Sequence, residues 1–225
     1  MKSMTMTAAA LAALLCATAA TAHTEKHKPA AGPATAPLAA PDAKGGTRDA
    51  QTYFTDLELL TQDGRKVRFY SDVLKGRTVV INVVYTNCGD ACPLITQVLN
   101  EVRRRLPDTF GKQVHFITLS SDPKRDSPAA MKQFAIKQGA DVEGWTWLTG
   151  SKTNLDHILK KLGMYSEQVE AHSTQLIAGN VAAKRWSKIR PDASPVAIVQ
   201  RLNALIGEPG LVEVPLAAEV PAARH

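Results

Sequence analysis

Residues 78–93 read TVVINVVYTNCGDACP, in which an unbroken run from Thr78 to Tyr85 leads within a few residues to two cysteines, Cys88 and Cys92. A continuous β-branched run of this length is the signature of a strand buried on both faces of a sheet. The cysteines therefore fall just past the carboxyl end of a central strand, where open α/β sheets place their ligands.

Working outward, Val114 to Leu119 is a second such run, and Trp145 to Leu148 and Thr174 to Ala178 are shorter strand candidates. Helical patterns alternate with them. Ile95, Val98, Leu99, Val102 and Leu106 recur at helix spacing, with Asp90 available as a cap and Pro107 as a stop. A second helix opens at Ser127-Pro128, an N-cap followed by an N1 proline, and ends near Gly139. Leu155, Ile158, Leu159 and Leu162 mark a third, closed by Gly163. Ser194-Pro195 opens a fourth through Ile198, Val199, Leu202 and Leu205. Strand alternating with helix implies an α/β fold, a central β-sheet flanked by helices. Asp56 to Leu60 and Lys66 to Phe69, around Asp63-Gly64, read as an N-terminal β-hairpin.

The 225 residues do not all belong to that unit. Lys2, an apolar Ala/Leu stretch and Ala20-Thr21-Ala22 have the form of a signal peptide over 1–22, with Cys16 as a leader residue. The expected destination is the periplasm. An uncleaved leader would instead be a membrane anchor, although its alanines and threonines make a weakly apolar span. Residues 23–50, with Pro29, Pro33, Pro37 and Pro41 among alanines, read as a flexible linker, and 208–225 as a disordered tail. The folded domain is 51–207. Cleavage after Ala22 would make His23 the amino terminus with His27 four residues on, a pair able to chelate copper(II), although a polar junction in a tether is the plainer reading.

Hydrophobic content of 44% and charged content of 21% are those of a globular protein. The net charge of +6 is scattered, and its one run, Arg103-Arg104-Arg105, lies on a solvated helix face, so no nucleic-acid footprint emerges.

Two mature cysteines four apart cannot staple distant parts of a fold, which leaves chemistry as their role. In the first helical turn Cys92 would meet free backbone N–H groups and the helix dipole, which lower a thiol pKa. On one helix, residues four apart share a side, so both sulfurs would face one ion. Structural zinc needs a second ligand pair, and none exists at recognisable spacing. Soft thiolates suit copper(I), and one imidazole would complete a three-ligand site. Among the candidates, His115 sits in a predicted strand and reads as a core or edge residue. His157 lies off the apolar helix face and reads as solvated.

Tyr85-Thr86-Asn87-Cys88-Gly89-Asp90-Ala91-Cys92-Pro93, then Ser121-Asp122-Pro123-Lys124-Arg125-Asp126-Ser127-Pro128, then His172-Ser173-Thr174, resemble in that order the Sco/SenC family of copper-binding proteins. The resemblance spans about 51–207 and implies a thioredoxin-like fold. It also implies copper, Cu(I) or Cu(II), held by Cys88, Cys92 and His172. His172 precedes a strand in a polar loop which, in such a fold, faces the cysteines. Asp122 corresponds to the family's Asp-Pro element, as a residue behind the ligands or one that shapes the loop.

The role implied is that of a metallochaperone supporting copper-site assembly of cytochrome c oxidase or another exported copper protein. Its partners would be an oxidase subunit or other copper acceptor and a copper donor or thiol reductant protein. A thiol-disulfide oxidoreductase that reduces partner cysteines is the alternative, since it needs only the cysteine pair. Gly89 stands where relatives often carry proline, Ala171 where they often carry an acid, and the connection Met164 to Ala171 is short. Gly179-Asn180 takes the place of a longer turn after the last predicted strand.

Overall fold

A computed structural model describes residues 50–207; the expected leader with Cys16, the linker with His23 and His27, and the tail lie outside the described residues. In chain order these form α1 (Ala50–Phe54), β1 (Glu58–Thr61), β2 (Lys66–Arg68), β3 (Thr78–Val84), α2 (Ala91–Arg104), β4 (Val114–Ser120) and α3 (Pro128–Lys137). There follow β5 (Trp145–Thr149), α4 (Lys152–Leu162), β6 (Leu176–Asn180), β7 (Arg185–Ile189) and α5 (Pro195–Ile206).

β3 is buried at all seven positions because helices cover both faces of the sheet. Val80 and Val84 pack into a core shared with α2, α3 and α5, while Val79, Ile81 and Val83 enter a second core built with α4 and the π-helical turn Phe69–Leu74. Each such side chain contributes about 1.5–3 kcal/mol on burial. The strand order is β2-β1-β5-β4-β3-β6-β7. β3, β4 and β5 run parallel, with Ile81 opposite Ile117, and the flanking pairs are antiparallel.

The N-terminal hairpin forms β1 and β2, turning at Gly64 with φ +77°. Helix starts follow their caps: Ser127 and Ser194 accept the N–H of Ala130 and Ala197, each with proline in the first turn. Gly163 ends α4 in the left-handed conformation, as predicted.

Two boundaries and one strand differ. α2 stops at Arg104, short of Pro107. The strand predicted over Thr174 to Ala178 occupies Leu176–Asn180 instead, so Gly179-Asn180 belong to the strand and the turn comes after them. β7 was absent from the sequence reading because an edge strand reading RWSKI, with Ile189 its one buried position, lacks a continuous apolar run.

Candidate metal centre

The end of β3 delivers Tyr85 to Cys88 onto the amino terminus of α2. Buried Asp126 fixes this path, accepting the Thr86 N–H at 3.0 Å, the Thr86 hydroxyl at 2.6 Å and the Ser120 hydroxyl at 2.6 Å. Asp90 occupies the N-cap position of α2, but its carboxylate makes no capping bond. The Cys88 Sγ supplies one in its place, accepting the Cys92 N–H at 3.3 Å. Cys88 therefore lies outside the helix, and the same-side argument from helical spacing does not apply to this pair. A loop folding back over the helix end brings the sulfurs together.

The thiol chemistry also departs from expectation. Burial pushes the Cys92 thiol up to about 12, with the neighbouring Cys88 adding to it, so the helix terminus does not activate this residue. Cys88 gains what Cys92 was expected to have. Burial raises its pKa, but the Cys92 thiol, the N–H groups of Cys92 and Asp90 and the Tyr85 hydroxyl outweigh that and hold it below its ordinary value. The hydrogen bond to Cys88, then burial, pushes Tyr85 up to about 12. Both cysteines are free thiols, Cys92 buried and Cys88 half-buried.

His172 follows a 3₁₀ turn, Val169–Ala171, and is itself buried. Its Nδ1 lies 3.1 Å from the Ser173 carbonyl oxygen, which can only accept, so Nδ1 carries the proton. The Nε2 lone pair is then free, 3.8 Å from the Cys92 Sγ. Tyr85 packs edge-on against the imidazole, ring centroids 5.7 Å apart, and burial lowers the His172 pKa despite its Ser173 bond. A neutral imidazole with Nε2 unprotonated is the form that binds metals.

Asp122 points its carboxylate at Arg125, not at the sulfurs. Its backbone carbonyl accepts the N–H of Arg125 and of Asp126, at 3.0 and 2.9 Å, which shapes the turn presenting Asp126. His115 lies on β4 beside the Lys112 carbonyl at 3.2 Å, and His157 is exposed on α4. Among the described residues no three His, Cys, Asp or Glu side chains form a ready-made cage. The contact between Cys92 and His172 is in place, and the Cys88 sulfur accepts the Cys92 amide N–H.

Sequence reasoning missed the roles of Tyr85 and Asp126. Tyr85 had a signal, a polar-tipped aromatic ending a buried run, where its hydroxyl needs a partner. Asp126 had none, because an acid in a polar loop reads as turn chemistry.

The family described as SCO1/SenC matches residues 45–206. The SCO1 protein homolog of Bacillus subtilis (strain 168) is 33% identical over 89 residues, which are 40% of this chain and 45% of that protein. The chain spans about half the length of three curated relatives it matches. Among solved structures, Bradyrhizobium japonicum ScoI with copper bound is similar with a TM-score of 0.55 at 23% identity, covering 66% of this chain and 96% of that one. BsSco, a member of the Sco family of cytochrome c oxidase assembly proteins in which a disulfide switch was identified, gives 0.56 at 23% identity, covering 66% and 90%. The mixed sheet with flanking helices is thus the thioredoxin-like fold of these proteins.

Proposed function

Because this chain belongs to the SCO1/SenC family, we propose that it is a metallochaperone holding copper between Cys88, Cys92 and His172 and supplying it to an exported copper protein, cytochrome c oxidase foremost. The observation that carries the reading is the pairing of Cys92 Sγ with His172 Nε2 at 3.8 Å while Nδ1 is engaged by the Ser173 carbonyl. Two thiols and one neutral imidazole make a soft, low-coordinate donor set suited to copper(I), and the nitrogen also accommodates copper(II). Copper seen in Bradyrhizobium japonicum ScoI supports the same cargo here. The cysteine-containing leader, the linker and export to the periplasm belong to this proposal, as does anchoring if the leader is retained. No described helix is long and apolar enough to cross a membrane.

Copper titration of the reduced chain tests the ligand set. One ion per chain is expected for the wild type, with loss of tight binding in Cys88→Ser, Cys92→Ser and His172→Ala. Undiminished binding in the histidine variant defeats the three-ligand site.

A second reading, thiol-disulfide exchange with partner cysteines, is favoured by one observation. Cys88 is half-buried with a lowered pKa and is hydrogen-bonded to the Cys92 thiol, an attacking sulfur beside a resolving one. The disulfide switch of BsSco supports redox chemistry at the pair. Reductase activity that survives His172→Ala would favour this role over copper delivery.

A further inference from the structure

A groove of about 630 Å³ opens at Cys88 between the start of α2 and one face of α3, a size within the ~300–1,000 Å³ of ligand sites. Gly89, Pro93, Ala130 and Phe134 give it an apolar lining. A Cβ at Gly89 would meet nothing within 4 Å, so the space beside Cys88 is open. At the far end stands Gln138, whose side chain and carbonyl accept from the Gln97 amide at 3.2 Å.

The α3 wall is a single stripe from Ala130 to Gln138, about 12 Å long at helical rise and so the span of roughly four extended residues. Lys137 stands on it, exposed. Its neighbour in the helix, Lys132, is held by Asp63 at 2.6 Å and Asp141 at 3.5 Å. Lys137 forms no ion pair or hydrogen bond among the described residues, and no acidic side chain lines the groove. A sulfur at one end, an apolar lining and an unpaired cation on the wall define the complement.

We propose that the groove seats an extended acidic segment of a partner protein, with a cysteine sulfur brought to Cys88 and a carboxylate about four residues away brought to Lys137. This rests on the copper-delivery reading and adds to it the chemistry of the acceptor. Such a segment reaches the half-buried sulfur without opening the buried Cys92–His172 contact. Its acidic character is set by Lys137, since an unpaired cation beside an apolar surface selects an anion and repels a basic segment.

The test uses the full chain with Cys16→Ser, fully reduced, and three short peptides. Each carries one cysteine as a mixed disulfide with 2-nitro-5-thiobenzoate and, starting three residues on, two glutamates, two glutamines or two lysines. The Cys88 thiolate attacks the peptide sulfur, the peptide–reagent S–S bond breaks, a Cys88–peptide disulfide forms and the coloured thiolate leaves with the electron pair. Its release gives the rate.

We expect the glutamate peptide to react about tenfold faster than the lysine peptide at low ionic strength, the gap closing with salt. Lys137→Glu should bring the ratio to about one or below, whereas Lys75→Glu, the same charge change on an exposed loop away from the groove, should leave it near the wild-type value. Equal rates for the three peptides overturn the proposal, as does a preference that survives Lys137→Glu. Copper titration of the same proteins separates the two ideas. A wild type that binds no copper defeats the delivery reading whatever the peptides do, while intact copper binding with no peptide preference defeats only the groove.

Discussion

His172 Nε2 stands 3.8 Å from the Cys92 Sγ, two buried donors brought together across 80 positions of the chain. The contact joins the first turn of α2 to the loop before β6, and the antiparallel pairing of β6 with β3 sets its reach. Because both groups are buried, the reactive access to the pair runs through Cys88. The two sulfurs should therefore behave very differently.

Iodoacetamide at neutral pH should label Cys88 at least about tenfold faster than Cys92. The Cys88 pKa is held below its ordinary value, so its thiolate fraction at a pH under that value exceeds that of an unperturbed thiol. Cys92 stays protonated up to about 12. Tandem mass spectrometry of the time course assigns the label, and preferential alkylation of Cys92 would contradict this geometry.

Tyr85→Phe should slow Cys88 alkylation and leave the fold intact. The hydroxyl is one of the donors that hold the Cys88 pKa down, and its loss raises that pKa. The pH–rate curve should shift to higher pH, with a rate at neutral pH lower by about two- to tenfold. The Phe ring keeps the edge contact with His172, so melting temperature should change little. An unshifted curve would mean that the hydroxyl does not act on the sulfur.

How far the sequence alone could be read follows from which contacts are local. The TVVINVVY run, the Ser-Pro helix starts and Gly163 each carry their signal within a few residues, and β3, α3, α5 and the end of α4 stand where they were expected. β7 was invisible because its half-exposed residues are ordered by pairing with β6 rather than by their own pattern. At the site, the cysteines announced themselves, whereas the order of their acidities did not. It depends on Cys88 lying outside the helix and on how much burial each sulfur receives, both set by tertiary packing. The bonding of Asp126 to Thr86 crosses 40 positions and left no local trace.

Gly179→Ala should destabilise the protein through Trp186. A Cβ at Gly179 would come within 2.2 to 2.6 Å of three indole ring atoms, since the two residues are paired across β6 and β7. The indole also packs on Phe54, with centroids 5.6 Å apart, and has little freedom to retreat. Overpacking of this kind costs about 1–3 kcal/mol. In a double-mutant cycle with Trp186→Ala, urea denaturation should recover most of that cost, giving a coupling of at least about 1 kcal/mol. Additive effects would show that the strand yields in some other way.

Asp126→Asn should cost far more than Asp122→Asn, in stability and in copper binding. Asp126 accepts three hydrogen bonds while almost fully buried, from the Thr86 N–H and the Thr86 and Ser120 hydroxyls. An amide keeps one acceptor oxygen and turns an NH₂ toward groups that donate, at a cost of about 2–4 kcal/mol. The loop it ties runs directly into Cys88, so the sulfur loses its fixed approach to the end of α2. Asp122 pairs instead with Arg125, whose side chain is 61% exposed. Freed, that guanidinium is solvated by water, so the loss should be smaller than at Asp126. Urea midpoints and copper affinities measured on both variants give the order, and equal losses would place the control of the loop elsewhere.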